Sequence, residues 1–261
     1  MNLRSIPGTK YKIGANFSNQ EMPHDSPFRV SWWYRTEFEI PADAAGKTLW
    51  LNFNGINYRA DIWVNGQKLA GTNGVAGRFR RCEFGATKFL LPGNKNAIAV
   101  AVFAPEADEL GITWVDWNPT PPDKDMGLWG DVSLAMSGPV ATRNLQVDSK
   151  VDQPDPAVAH LAISAELHNV TDRVEPGTLR GTIGNEISFA KTVRLEAKES
   201  RVIISAPEQV SALNIADPKL WWPYRMARRT YTTCAWNLPP RKAPHPKRRL
   251  SILESMRSLP N

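Results

Sequence analysis

From about residue 30 to residue 210 apolar and polar side chains alternate with a period of two, the mark of strands buried on one face. In "SWWYRTEFEI", Trp32, Tyr34, Phe38 and Ile40 fall on one face, and Trp33, Arg35, Glu37 and Glu39 on the other. "KTLWLNFNG" repeats the pattern with Leu49, Leu51 and Phe53. In "ADIWVNGQKLAG", Asn65-Gly66 separates two short runs, and that dipeptide takes the positive φ angles of a type I′ turn, so a hairpin is predicted. "NKNAIAVAVFA", preceded by the turn signal Pro92-Gly93, and "DVSLAMSG" add two strands. No window gives a convincing amphipathic helix. The pattern predicts an antiparallel all-β sandwich or jelly roll.

"SGPVATRNLQVDSKVDQPDPA" (137–157) is polar and proline-bearing and reads as a crossing between domains. "AHLAISAELHNVT", "GTLRGTIGN", "ISFAKTVRLEA" and "ESRVIISAP" follow as short alternating strands at even spacing, which fits an immunoglobulin-like sandwich over 140–226. "DPKLWWPYRM" is expected to begin or lead into one of its last strands. Beyond Met226 the period is lost. Residues 227–261 hold five prolines, eight Lys or Arg and one acid, Glu254, and read as an irregular, disordered basic tail.

That tail changes the meaning of the net charge of +6, which alone points to nucleic acid. Positions 1–226 hold 24 basic and 25 acidic residues, so the folded body is near neutral and has no electrostatic footprint for phosphate. No apolar run approaches the ~18–20 residues that span a bilayer. Neither a nucleic-acid nor a membrane partner is expected. Cys82 and Cys234 form no metal or disulfide framework, and His24, His160, His168 and His245 have no companions at metal or triad spacing. The compartment stays open.

One stretch breaks the pattern. "WVDWNPTPPDKDMGLW" (114–129) sets three tryptophans and three aspartates among three prolines, although loops ordinarily avoid large aromatics. With "WWYRTEFEIP", "LNFNGINYRADIWVNGQKLA" and "LWWPYRM" (220–226), it resembles glycoside hydrolase family 2 over roughly residues 1–226. The hairpin motif is common to the family, whereas the loop is most similar to the exo-β-glucosaminidase and β-mannosidase-like branches. The resemblance implies a sugar-binding, galactose-binding-like jelly roll over 1–139 and an incomplete immunoglobulin-like sandwich over 140–226.

Sugars present apolar C–H faces ringed by hydroxyls, and their sites pair aromatic platforms with carboxylate acceptors. Trp114, Asp116, Trp117, Asp123, Asp125 and Trp129 supply both. By its place in the motif Asp125 resembles the acid that contacts sugar hydroxyls, with Asp116 as second candidate; either would also pair with the ammonium of an amino sugar. The expected partner is a carbohydrate, a β-linked amino sugar or a mannose-type glycan. Family members are retaining enzymes that need two glutamates about 5–5.5 Å apart. In the family both sit on a barrel of about 250 residues that follows the second domain. No catalytic residue, metal ligand or cofactor is therefore assigned within this chain. A non-catalytic fragment, shortened at its front, is expected, with a stand-alone lectin-like module as the alternative. Read in a shifted frame, "RTYTTCAWNL" permits Asn-Leu-Tyr-Asp-Leu-Arg-Leu-Glu and "SILESMRS" permits Asp-Phe-Gly-Ile-His-Glu-Val, which resemble the strands that follow in the family. Residues 227–261 are accordingly expected to be frameshifted.

Overall fold

A computed structural model describes Met22, residues 24–112, Trp114, and residues 120–154, 156–184, 187–220, 222–223 and 225–226. It also describes Thr232 and residues 234–237, 249–251 and 257–259. The chain divides into two compact units, residues 1–136 with 247–261, and residues 137–246. The structure is all-β, and no helix among the described residues is long and apolar enough to cross a membrane.

The first unit contains β1 (Trp32–Glu39), β2 (Thr48–Phe53), β3 (Ile56–Asn57), β4 (Arg59–Val64), β5 (Gln67–Ala70), β6 (Cys82–Gly85), β7 (Lys95–Phe103), β8 (Gly127–Leu128) and β9 (Val132–Ser137). One sheet orders β1, β7, β4 and β5, and a second orders β9, β2 and β6. Both turn the apolar side of their alternation inward. Leu49, Leu51 and Phe53 meet Ile62, Val64, Ile98, Val100 and Leu134 in one core from which water is excluded. The hairpin turn between β4 and β5 has φ of 49° at Asn65 and 80° at Gly66, as the dipeptide predicts. A third, two-stranded ladder joins β3 to β8, with Ile56 opposite Leu128 and Asn57 opposite Gly127. It brings the 120–129 loop onto the body of the sandwich.

The second unit contains β10 (Val140–Val151), β11 (Val158–Asn169), β12 (Glu175–Ile183), β13 (Ile187–Leu195), β14 (Ser200–Ser205), β15 (Asn214–Ala216) and β16 (Cys234–Asn237). One sheet orders β10, β11 and β14, with β15 also on β11, and the other orders β13, β12 and β16. Ile163, Leu167, Leu179, Leu195 and Leu213 form its core.

Two stretches depart from the sequence reading. Residues 140–151, expected to be part of a linker, form a twelve-residue edge strand paired along β11, with a bulge between Arg143 and Gln146. An edge strand leaves much of its surface to solvent, so its polar composition looks like a linker's. The described residues between Asp217 and Met226, expected to begin or lead into a strand, do not begin one: they are bend, turn or irregular, and Pro218 and Pro223 have no N–H for a ladder.

Within the tail, Cys234–Asn237 pairs with β12, while β17 (Arg249–Ser251) pairs with β9 and β18 (Arg257–Leu259) with β1. An expectation of disorder does not anticipate these strands. Backbone ladders at an open sheet edge place few demands on side chains, so composition is a poor guide there.

Candidate functional site

The 120–129 loop is organised by its own backbone. The N–H of Lys124 donates to Pro121 O at 3.0 Å and that of Met126 to Asp123 O at 3.0 Å. Lys124 and Asp125 both lie in the left-handed region, at φ of 51° and 53°, a conformation that side-chain-bearing residues seldom adopt in succession. The Asn57 amide, reaching across from β3, holds this turn in place: Nδ2 donates to Lys124 O at 2.9 Å and to Asp125 O at 2.7 Å. Gly127 follows at φ 145°, where a Cβ would stand 2.5 Å from Tyr34 Oη, so the close approach of the loop to β1 depends on glycine.

The turn separates its two acids. Asp123 points inward and is 6% exposed, while Asp125 is exposed. Burial pushes the Asp123 carboxyl up to about 6, against the opposing effect of the Asp125 N–H that donates to its Oδ1 at 3.3 Å. Burial also raises the Asp125 carboxyl, and the Arg78 guanidinium counters it. Between the two aspartates, Lys124 is buried and donates from Nζ to Pro105 O at 3.2 Å.

Trp129 stands at the far end of the β3–β8 ladder. Its backbone N–H donates to Gly55 O at 3.2 Å and its indole Nε1 to Arg78 O at 3.0 Å. The ring lies directly over Gly55, where a Cβ would come within 2.4 Å of it. It is nevertheless 53% exposed. Phe79, 74% exposed, meets it edge-on with centroids 5.8 Å apart, and the Arg78 guanidinium sits 4.5 Å over the Phe79 ring. Two exposed aromatic rings, one of them the anchored indole, and an outward carboxylate thus share one corner of the first unit. Such a corner offers C–H stacking and hydrogen-bond acceptance together.

The other loop residues fare differently. Trp114 is 6% exposed, so its ring is packed and presents no face. Asp116 and Trp117 lie outside the described residues. Arg78, Phe79 and Asn57 join the site without belonging to the tryptophan- and aspartate-rich stretch. The signal for the first two was an aromatic flanked by arginines in the glycine-led turn "GRFRR", and for Asn57 only its membership of "GINYR".

A depression of about 350 Å³ on the outer face of the five-stranded sheet is lined by Trp33, Arg35, Trp63, Asn65, Ala97 and Ala99. It is less suited to a polar ligand. Arg35 is paired with Glu37, and the Asn65 amide is engaged by Phe89 O, Asn96 and the Ala97 N–H.

Residues 15–110 match the model of the glycosyl hydrolase 2 galactose-binding domain-like family, which defines the class of the first unit. The first unit thus carries the galactose-binding-like domain of glycoside hydrolase family 2, and the chain resembles exo-β-D-glucosaminidases over their N-terminal part. It is 33% identical over 222 residues to the exo-β-D-glucosaminidase of Streptomyces avermitilis, covering 85% of this chain and 24% of that protein. To the enzyme of the same name from Amycolatopsis orientalis it is 32% identical over 220 residues, covering 83% and 20%. The crystal structure of Amycolatopsis orientalis exo-chitosanase superposes with a TM-score of 0.74 at 27% identity, covering 92% of this chain and 28% of that one. The chain thus spans about a quarter of the length of these relatives. The 114–129 loop lies beyond the residues matched by the family model.

Proposed function

We propose that the chain supplies a non-catalytic, carbohydrate-contacting part of a family 2 β-glycosidase, and that Asp125 and Trp129 make the contact. The observation that supports this reading is the β3–β8 corner, where the backbone of exposed Asp125 is held by Asn57 and Asp123 and the exposed Trp129 indole is anchored on Arg78 O. Trp129 and Phe79 offer stacking surface for a pyranose ring, and Asp125 accepts from its hydroxyls. The sugar is a β-linked amino sugar or a mannose-type unit, in keeping with relatives named as exo-β-D-glucosaminidases and, at 26% identity, a mannosylglycoprotein endo-β-mannosidase from Lilium longiflorum. Hydrolysis of an O-glycosyl bond belongs to the intact parent.

Retaining hydrolysis needs two carboxyls about 5–5.5 Å apart, both turned to one glycosidic bond. Asp123 turns inward and accepts its neighbour's N–H, whereas Asp125 turns out, so the loop's two described acids do not serve as such a pair. Calorimetric titration of methyl β-glucosaminide and methyl β-mannoside into the chain tests the reading, with nitrophenyl β-glycosides as the turnover control. Millimolar binding abolished by Asp125→Ala, with no turnover, is the expected result. Micromolar binding favours a stand-alone lectin-like module, since one partial subsite gives few contacts. No binding, or turnover that survives repurification, rejects the proposal.

A further inference from the structure

We infer that Asn57 is the positioning residue that sets the direction of the Asp125 carboxylate. The inference rests on the carbohydrate-contact reading for its functional meaning and on geometry for the rest. A side chain leaves its Cα in a direction fixed by the two flanking peptide planes. At Asp125 both planes are held. Its N–H donates to Asp123 Oδ1, and its carbonyl accepts from Asn57 Nδ2 at 2.7 Å. The same Nδ2 takes the preceding carbonyl, that of Lys124, at 2.9 Å. Asn57 thus secures the two residues whose left-handed φ angles turn Asp125 outward.

The orientation of this amide is unambiguous, because two carbonyl oxygens can only accept and the nitrogen must face them. Asn57 is 1% exposed, and its Oδ1 is buried without a hydrogen-bond donor among the described groups. A position chosen for packing alone would favour an apolar side chain, since an unpaired buried acceptor works against stability. The amide's two donors are what the site uses. Asn57 lies on β3 and Asp125 in the 120–129 loop, and the amide is the physical link between them.

The test reads amide hydrogen exchange and sugar affinity together in the whole chain. Asn57→Asp keeps the size and replaces the donors by acceptors, while Asn57→Ala removes them. Exchange at the Asp125 and Met126 amides is expected to rise about tenfold or more in both variants, with Ile62 and Val100 in the core strands unchanged. The affinity for methyl β-mannoside is expected to fall about tenfold, and Asn57→Ala is expected to add nothing in an Asp125→Asn background, which still binds. If Asn57→Ala does not fold, the Asn57→Asp exchange pattern decides. Unchanged exchange at Asp125 and Met126 in a folded variant overturns the inference, as does an affinity loss additive with Asp125→Asn. Faster exchange in a chain whose wild type binds no sugar upholds the clamp and rejects the carbohydrate reading instead.

Discussion

The buried carboxylate of Asp123 accepts the backbone N–H of Asp125 across 3.3 Å, so one acid of the loop shapes the turn that presents the other. Burial raises the Asp123 carboxyl to about 6 from its ordinary 3.8. The folded state therefore holds this proton over a window, about pH 4 to 6, in which the unfolded chain has released it. Stability from this group is full below that window and declines through it, by at most about 3 kcal/mol. Asp123→Asn keeps an acceptor for the Asp125 N–H and removes the titration. Urea unfolding at several pH values should show wild type losing stability relative to the variant between about pH 4 and 6, with parallel curves above. Parallel curves throughout would mean that Asp123 ionises in the fold as freely as in the unfolded chain.

Asp125 is exposed, and Asn tolerates its left-handed backbone, so Asp125→Asn should change stability by no more than about 0.5 kcal/mol. Hydrogen bonds to a charged acceptor contribute about 1.5–3 kcal/mol, and their loss should weaken sugar binding about tenfold or more. Titration calorimetry beside a melting curve measures both. A variant that binds as well as wild type would move the contact elsewhere on the loop.

Arg78 tunes the same carboxylate through its charge. Its removal in Arg78→Gln exposes Asp125's full negative charge to an arriving ligand. Glucosaminide, protonated on its amine, should then bind about threefold more tightly, while a neutral mannoside is little affected, as expected of a screened surface pair. Competition NMR with both sugars in one tube reads the ratio directly, and an unchanged ratio refutes the prediction.

The strands of the first sandwich were legible because burial on one face writes a two-residue period, as in Trp32 through Ile40. The Asn65-Gly66 turn was legible because φ angles of that sign select those residue types. Strand β10 was not, because a solvated edge needs no apolar period. In the loop, residue types pointed to the chemistry but not to its direction. Nothing in "DKDM" says that Asp123 turns in and Asp125 out, since that follows from two left-handed residues held by an amide 67 and 68 positions away. Trp114 illustrates the same limit: an indole in a polar loop reads as a platform, and here it is packed. Phe79 meets the site at the Trp129 ring, and the Arg78 carbonyl holds the indole across 51 residues.

Two glycines under the site should respond differently to the same added methyl group. A Cβ at Gly130 would stand 2.6 Å from the backbone carbon of Asn54 and 2.8 Å from the Gly55 nitrogen, and neither can move without breaking the ladder beside β3. Gly130→Ala should cost about 2 kcal/mol or more, in the range of overpacked sites. The three atoms nearest a Cβ at Gly55 all belong to the Trp129 ring, the closest at 2.4 Å, and that ring is half exposed, so it can give way outward by releasing its own contacts. Gly55→Ala should therefore cost less stability, about 1 kcal/mol, yet break the indole's hydrogen bond to Arg78 O and its edge-on contact with Phe79. The Trp129 indole N–H resonance, assigned with Trp129→Phe, should shift and exchange faster in Gly55→Ala, and sugar affinity should fall with it. If Gly55→Ala leaves that resonance and the affinity intact, the anchored ring is not the platform, and the contact belongs to Asp125 alone.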